Sequence, residues 1–224
     1  MNDLVTGLTK IRNAILGGLI LSIVFSLFQY IAQSFKNQNL SILIAFVYVL
    51  ILILTVVYIV KYFTGIRLIR NLSIFEKLNK RLYQIRNNFR AALGFSIGST
   101  SIILVGIVLP SVYVIYFGLF ILVFGSVFGW IITYRTIQIQ GILGVYAKNQ
   151  DLIRNTIKTL NIFKIQIVVT IILYLALYFK SYSLYAYYSI LTISIVYSIY
   201  FVVNYLGLFN LAINLFRNSQ DFDS

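Results

Sequence analysis

A chain of 224 residues with 60% hydrophobic and only 10% charged side chains departs far from the ordinary soluble composition, in which about a quarter of residues are charged, and this points to lipid as its solvent. The 18 Lys and Arg against five Asp and Glu give a formal net charge of +13, but the cations flank apolar blocks, which directs them to anionic headgroups rather than to specific nucleic-acid binding. With neither Cys nor His, the chain lacks disulfide, thiol and Cys-rich zinc chemistry and the commonest general base and metal ligand, so no metal or cofactor site is expected.

Six blocks without Asp, Glu, Lys or Arg follow in order: 14–31, 40–60, 91–109, 111–133, 165–179 and 182–206. Most are near the ~20 residues that span a ~30 Å hydrocarbon layer as a helix. A charged start followed by an apolar run resembles a signal peptide, but the run extends for about a full span with no small-residue cleavage site, so it reads as a retained first helix. Lys10 and Arg12 precede the first block; Lys61, Arg67, Arg70, Lys77, Lys80, Arg81, Arg86 and Arg90 separate the second from the third. Arg135, Lys148, Arg154, Lys158 and Lys164 separate the fourth from the fifth, and Arg217 follows the sixth. The alternate gaps hold only Lys36 and Lys180. The positive-inside rule therefore predicts both termini and both long loops on the cytoplasmic side of the cell membrane. The expected fold is all-α, a single membrane domain over 1–224 of six transmembrane helices in three hairpins (14–60, 91–133, 165–206), with amphipathic helices in the cytoplasmic stretches 61–90 and 134–164.

Ile-Arg-Asn begins at Ile11, Ile69, Ile85 and Ile153, and three of these precede the three hairpins. This is either a weak repeat of about 70 residues or the chance product of a chain rich in these residue types. In the first loop, Ser73 and Glu76 have capping-box spacing and predict a helix start. Leu68, Leu72, Phe75, Leu78, Leu82, Ile85 and Phe89 then recur at steps of 3 and 4, an apolar face opposed by cations. Such a helix lies on the leaflet, packs beneath the bundle or grips a partner, and Lys77, Lys80, Arg81, Arg86 and Arg90 are its candidate lipid- or partner-docking residues.

In the second hairpin, Gly94 and Gly98 on the third span and Gly125 and Gly129 on the fourth each form GxxxG. A turn at Pro110–Ser111 sets Gly98 opposite Gly125 and Gly94 opposite Gly129, with Gly118 extending the groove. Small residues permit the close approach that association in lipid requires, so these five are the candidate helix-packing residues. Ser96, Ser99, Thr100 and Ser101 are expected to bond back to helix carbonyls or across helices. In the second loop, Gly141 and Gly144 weaken helix continuation, and Asp151 is a candidate cap for the helix leading into the fifth span. Tyr174, Tyr178, Tyr182, Tyr185, Tyr187 and Tyr188 near the outer end of the third hairpin read as an aromatic belt, continued by Tyr197, Tyr200 and Tyr205.

The segment from Ile85-Arg86-Asn87 to Gly98-Ser99 and the run Ile-Leu-Val-Gly-Ile-Val-Leu ending at Leu109 resemble uncharacterised multi-pass membrane proteins of thermoacidophilic archaea, grouped as a domain of unknown function. The Ile- and Tyr-rich, Cys- and His-free composition is similar too. The resemblance covers the first two hairpins, implies an archaeal plasma membrane, and brings no catalytic residues.

Acid–base catalysis needs a group that titrates usefully, and Asp3, Glu76, Asp151, Asp221 and Asp223 all fall outside the uncharged blocks, so an enzyme is not expected. Coupled transport ordinarily retains an ionisable residue within the bundle. Two readings remain: a structural, scaffold or accessory subunit that docks lipid, a partner protein or a second copy of itself, and a passive channel or carrier for a small solute.

Overall fold

The computed structural model describes residues 2–34, 38–71, 76–108, 112–178 and 184–218. The described residues form six α-helices and no strand: α1 (Asn2–Ser34), α2 (Gln38–Asn71), α3 (Glu76–Val108), α4 (Val112–Tyr146), α5 (Gln150–Tyr178) and α6 (Leu184–Asn218). Their lengths run from 29 to 35 residues, which at 1.5 Å per residue is about 44–53 Å, well beyond a ~30 Å hydrocarbon layer. Each helix continues past its uncharged block toward the basic residues. Among the described residues, Asn2–Leu21, Gln150–Leu173 and Tyr185–Asn218 are long and apolar enough to cross a membrane.

This continuity corrects the expectation of separate surface helices. No Gly or Pro interrupts 76–93, so the amphipathic stretch is the first half of α3 itself, with Leu78, Leu82 and Ile85 buried. Nor do Gly141 and Gly144 end α4, which runs to Tyr146. They serve instead to admit α5: a methyl group on Gly141 would lie 3.0 Å from Thr156 Cγ2, and one on Gly144 3.2 Å from the Ile153 nitrogen. Ser73 of the expected capping box and the Pro110–Ser111 turn lie outside the described residues.

The chain divides into two units, Met1–Ile74 with Phe209–Ser224, and Phe75–Leu208. In the first, α1 packs antiparallel to α2 through a crossing of backbone on backbone. A methyl group on Gly65 would lie 2.6 Å from the Gly7 carbonyl oxygen and 2.8 Å from Ile11 Cγ1, and one on Gly7 would lie 2.7 Å from Ile69 Cγ1. Farther along, the Tyr58 ring covers Gly17. Leu4, Leu8, Ile11, Ala14, Ile66 and Ile69 bury around this crossing, and Phe209, Ala212, Ile213 and Phe216 from the last turns of α6 are the unit's other buried apolar side chains. Arg12 ties the two segments: its Nη1 donates to Asn210 Oδ1 at 2.8 Å, while Nε and Nη2 both donate to Asn13 Oδ1.

In the second unit, α3 packs along α4 and α4 along α5. Phe95 of α3 stacks on Phe128 at 5.4 Å and on Phe124 at 6.1 Å. The α5–α6 hairpin is joined by Phe163 against Phe201 at 5.2 Å and by Gln166 Nε2 donating to Ser198 Oγ at 2.8 Å.

The α4–α5 connection shows how a tight turn is built without glycine. Asn149 N donates to Gly144 O and Ala147 N to Leu143 O, both at 2.9 Å, closing the carbonyls at the end of α4. Lys148 takes the left-handed conformation, φ 50°, which costs an L residue about 1–2 kcal/mol. Asn149 then caps α5, its Oδ1 accepting from Leu152 N at 2.8 Å. The cap is therefore Asn149 rather than Asp151, which sits within the first turn and favours it through the helix dipole.

Two sets of substitutions test these junctions. Gly65→Ala forces a Cβ onto backbone and should lower the unfolding midpoint in detergent by the equivalent of about 1–3 kcal/mol, whereas Gly98→Ala, with nothing within 4 Å of its Cβ, should leave the midpoint level or raise it by up to about 1 kcal/mol. Asn149→Ala should cost about 1 kcal/mol in the same measurement.

Candidate docking surface on the basic side

Among the described residues, the charged stretches and the uncharged blocks differ in what they bury. Large apolar side chains stand exposed along the uncharged blocks: Ile20 and Ile23 on α1, Ile53 and Val60 on α2, Leu93 on α3, Phe117 and Phe120 on α4, Ile171 and Leu175 on α5, Val196 and Val203 on α6. The buried apolar residues instead concentrate in the basic stretches beyond those blocks, from Leu4 to Ala14, Ile66 to Ile69, Leu78 to Ile85, Ile137 to Leu152 and Leu208 to Phe216.

The first half of α3 has two faces. Leu78, Leu82 and Ile85 are at most 2% exposed, while Lys80, Tyr83, Asn87 and Arg90, at steps of 3, 4 and 3, form a stripe open to the surroundings. Arg81 and Arg86 occupy the half-buried flanks. Arg81 Nη1 donates to Gln84 Oε1 at 3.2 Å, and Arg135 on α4 repeats the device with Gln138 Oε1 at 2.9 Å. Of the predicted docking residues, Lys80, Arg81, Arg86 and Arg90 thus gather on or beside one face, and Lys77 lies in the first turn of α3 with its side chain outside the described residues.

Three cations lie over tyrosine rings near the junction of basic stretch and uncharged block: Lys61 over Tyr58 at 5.4 Å, Arg86 over Tyr83 at 4.8 Å and Arg135 over Tyr134 at 5.8 Å. Each ring holds a cation over its face, an arrangement worth about 0.5–1 kcal/mol at an exposed position. At the second of these, the Asn87 side chain, hydrogen bonded to the phenol, and the adjacent Arg86 guanidinium hold the Tyr83 hydroxyl below the usual tyrosine range. The Arg86 Nε is enclosed and has no acceptor within the chain.

The predicted glycine interface takes a different form. Methyl groups on Gly94, Gly98 and Gly129 would meet nothing within 4 Å, so these notches are not filled by the facing helix; the Phe95, Phe124 and Phe128 rings, whose bulk sets the helix separation, occupy that part of the hairpin. Gly125 is buried. Gly118 lies within α4, its surroundings outside the described residues. The expected register nevertheless appears, since Phe95 opposite Phe128 is the pairing one residue from Gly94 opposite Gly129. The close approach that glycine permits belongs to Gly7 and Gly65, which carry no GxxxG spacing.

Tyr185 and Tyr188 are exposed, and Tyr187 and Tyr188 meet edge to face at 5.4 Å, as a belt requires. Tyr205 departs from it: buried, it stacks on Phe201 at 5.4 Å and belongs to the core. The side chains of Tyr174, Tyr178 and Tyr182, and those of Ser96, Ser99, Thr100 and Ser101, lie outside the described residues.

Polar groups within the helices are mostly consumed locally. The hydroxyls of Thr133, Thr136, Thr156, Thr159 and Thr170 each donate to the carbonyl four residues earlier. Gln140 departs from this, 1% exposed with neither amide atom bonded within the chain, and Gln166 Oε1 is likewise enclosed without a donor. Replacing Gln140 by the similarly sized Met removes that unmet desolvation cost and should raise thermal stability in detergent by about 1–3 kcal/mol; a lowered midpoint would show the amide to be satisfied.

Among the described residues no group of His, Cys, Asp or Glu is arranged to hold a metal ion. No protein-family model, curated protein or solved structure matches this chain.

Proposed function

We propose that the chain is an integral membrane protein crossing the bilayer six times, termini on the cytoplasmic side, and that it acts as a structural, scaffold or accessory subunit docking anionic lipid or a partner through its basic helical extensions. The observation that carries this reading is the division of burial: all six helices expose large apolar side chains along their uncharged blocks and bury others where the cations lie. Exposed Ile, Val and Phe are stable against hydrocarbon, whereas the amphipathic extensions require a core of their own because water surrounds them. The uncharged blocks of α2, α3 and α4 supply the remaining three crossings beside the three helices that meet length and apolarity by themselves. An archaeal plasma membrane, implied by the resemblance over the first two hairpins, is part of the same proposal, as is the absence of enzymatic activity.

The alternative, a passive channel or carrier, would need polar groups lining a path. The back-bonded Thr133, Thr170 and Thr192 of the uncharged blocks favour the subunit reading, because their hydroxyl protons are already committed to helix carbonyls.

A membrane-impermeant thiol reagent should label Asn37→Cys in intact cells and Asn79→Cys only after permeabilisation; the reverse pattern overturns the orientation. Gentle extraction from native membranes should retain a stoichiometric protein partner or lipid. Conductance above that of empty liposomes after reconstitution would instead favour the channel.

A further inference from the structure

We propose that Arg86, with Tyr83, Asn87 and Arg90 beside it on α3, forms a discrete site for the phosphate of an anionic lipid headgroup. This rests on the membrane reading above and assigns one site within the general basic surface.

Four observations converge. First, depth: Arg90 directly precedes the uncharged block that begins at Ala91. At 1.5 Å per residue, Arg86 lies about 6 Å and Tyr83 about 10 Å below Arg90, while each headgroup layer is about 5–7 Å thick. Second, the face is built: Tyr83, Asn87 and Arg90 share the exposed stripe, and the Tyr83 ring, 4.8 Å from the Arg86 guanidinium carbon, restrains a side chain that otherwise loses much rotamer freedom on binding. Third, valence: Arg86 is half-buried and Arg90 exposed, and a guanidinium fork matches two phosphate oxygens in one plane; because the Arg86 Nε is enclosed, the terminal nitrogens make the contact with an outside anion. The amide of Asn87 adds a neutral donor near the level of Arg86, and the phenol of Tyr83 another about 4–5 Å deeper. Fourth, charge: Glu76, the sole acid of α3, opens the helix ten residues before Arg86, and 18 basic residues against five acidic ones leave most cations without a carboxylate. An anion from outside the chain supplies what its own sequence withholds.

A lipid phosphate is favoured over a soluble one because the stripe abuts the exposed apolar side chain of Leu93, where acyl chains and headgroup are engaged together. The lowered ionisation range of the Tyr83 phenol, set first by the Asn87 hydrogen bond and then by the Arg86 guanidinium, fits a hydroxyl polarised toward donation to an oxyanion.

The test uses the full chain in neutral detergent, with bound lipid counted by native mass spectrometry during titration with phosphatidylglycerol, phosphatidylcholine or inorganic phosphate. Phosphatidylglycerol should bind saturably at one tight site. Arg86→Gln should weaken it roughly tenfold, as expected for loss of a charge-assisted hydrogen bond. Tyr83→Phe, which keeps the ring, should weaken it by a few-fold, and Lys158→Gln, at an exposed cation on α5, should leave it unchanged. Should Arg86→Gln fail to fold, Arg90→Gln and Tyr83→Phe carry the test. Equal binding by Arg86→Gln or, failing that variant, by both substitutes overturns the site. Equal binding of phosphatidylcholine, displacement by inorganic phosphate at the same concentration, or retention through this stripe of a protein chain and no lipid overturns the assignment of its occupant. Failure of the six-span topology appears separately, in the labelling of Asn79→Cys, because binding in micelles does not depend on which way the chain faces.

Discussion

A helix that lies partly in hydrocarbon and partly in water cannot be held by one kind of force along its length. In hydrocarbon, burying one leucine against another gains little over leaving it against an acyl chain; in water the same burial is worth about 1.5–3 kcal/mol. The distribution of Leu8, Ile69, Leu82, Ile85, Leu143, Leu152 and Phe209, all at most 2% exposed and all in charged stretches or beyond the last uncharged block, follows directly from this difference. On the proposed reading, the helices are long because they supply both parts: an uncharged length that satisfies its own backbone within a bilayer, and a continuation where a conventional hydrophobic core can assemble.

On the proposed reading, the basic residues then do two things at once. They orient the chain across the bilayer, and by standing on the outer flanks of the extensions they leave the inner flanks free for the core. Ile-Arg-Asn illustrates the economy of this. In three of its four occurrences the Ile is buried, at Ile11, Ile69 and Ile85, and the following Arg reaches the rim. Arg12 and Arg86 use that rim position differently. Arg12 bonds Asn13 and Asn210, whereas Arg86 lies over an aromatic ring with an enclosed nitrogen left unpaired.

Much of the architecture was legible because charge and apolarity are periodic signals. The uncharged blocks identified six helices, the steps of 3 and 4 identified Leu78, Leu82 and Ile85 as a buried face, and equal distances from a turn put Gly94 opposite Gly129, one residue from the observed Phe95–Phe128 stack. Contacts that depend on the meeting of distant single residues were not legible. Gly7 and Gly65 each stand alone among larger neighbours, and nothing local marks them as partners, while the motif-bearing Gly94, Gly98 and Gly129 have open space around them beside the stacked phenylalanines. At the α4–α5 turn, residue type pointed to Asp151 as the cap; the turn through the left-handed Lys148 brings Asn149 to the free amides instead. In the candidate site, the cations were visible as a face, but the coupling of Arg86 to Tyr83 and Asn87 needed geometry.

The unit that contains the first hairpin is completed by Phe209, Asn210 and Phe216, nearly two hundred residues downstream. On the proposed reading, α1 and α2 emerge and insert long before the last turns of α6, which complete their unit, have been translated. A nascent chain halted ahead of Phe209 lacks the Asn210 partner of Arg12 and the buried Phe209, Ala212, Ile213 and Phe216, an unfinished core of the kind on which chaperones and membrane proteases act. Assembly of the first-made part of this molecule waits on the last-made helix, so surveillance of incomplete chains is written into the order in which its pieces appear.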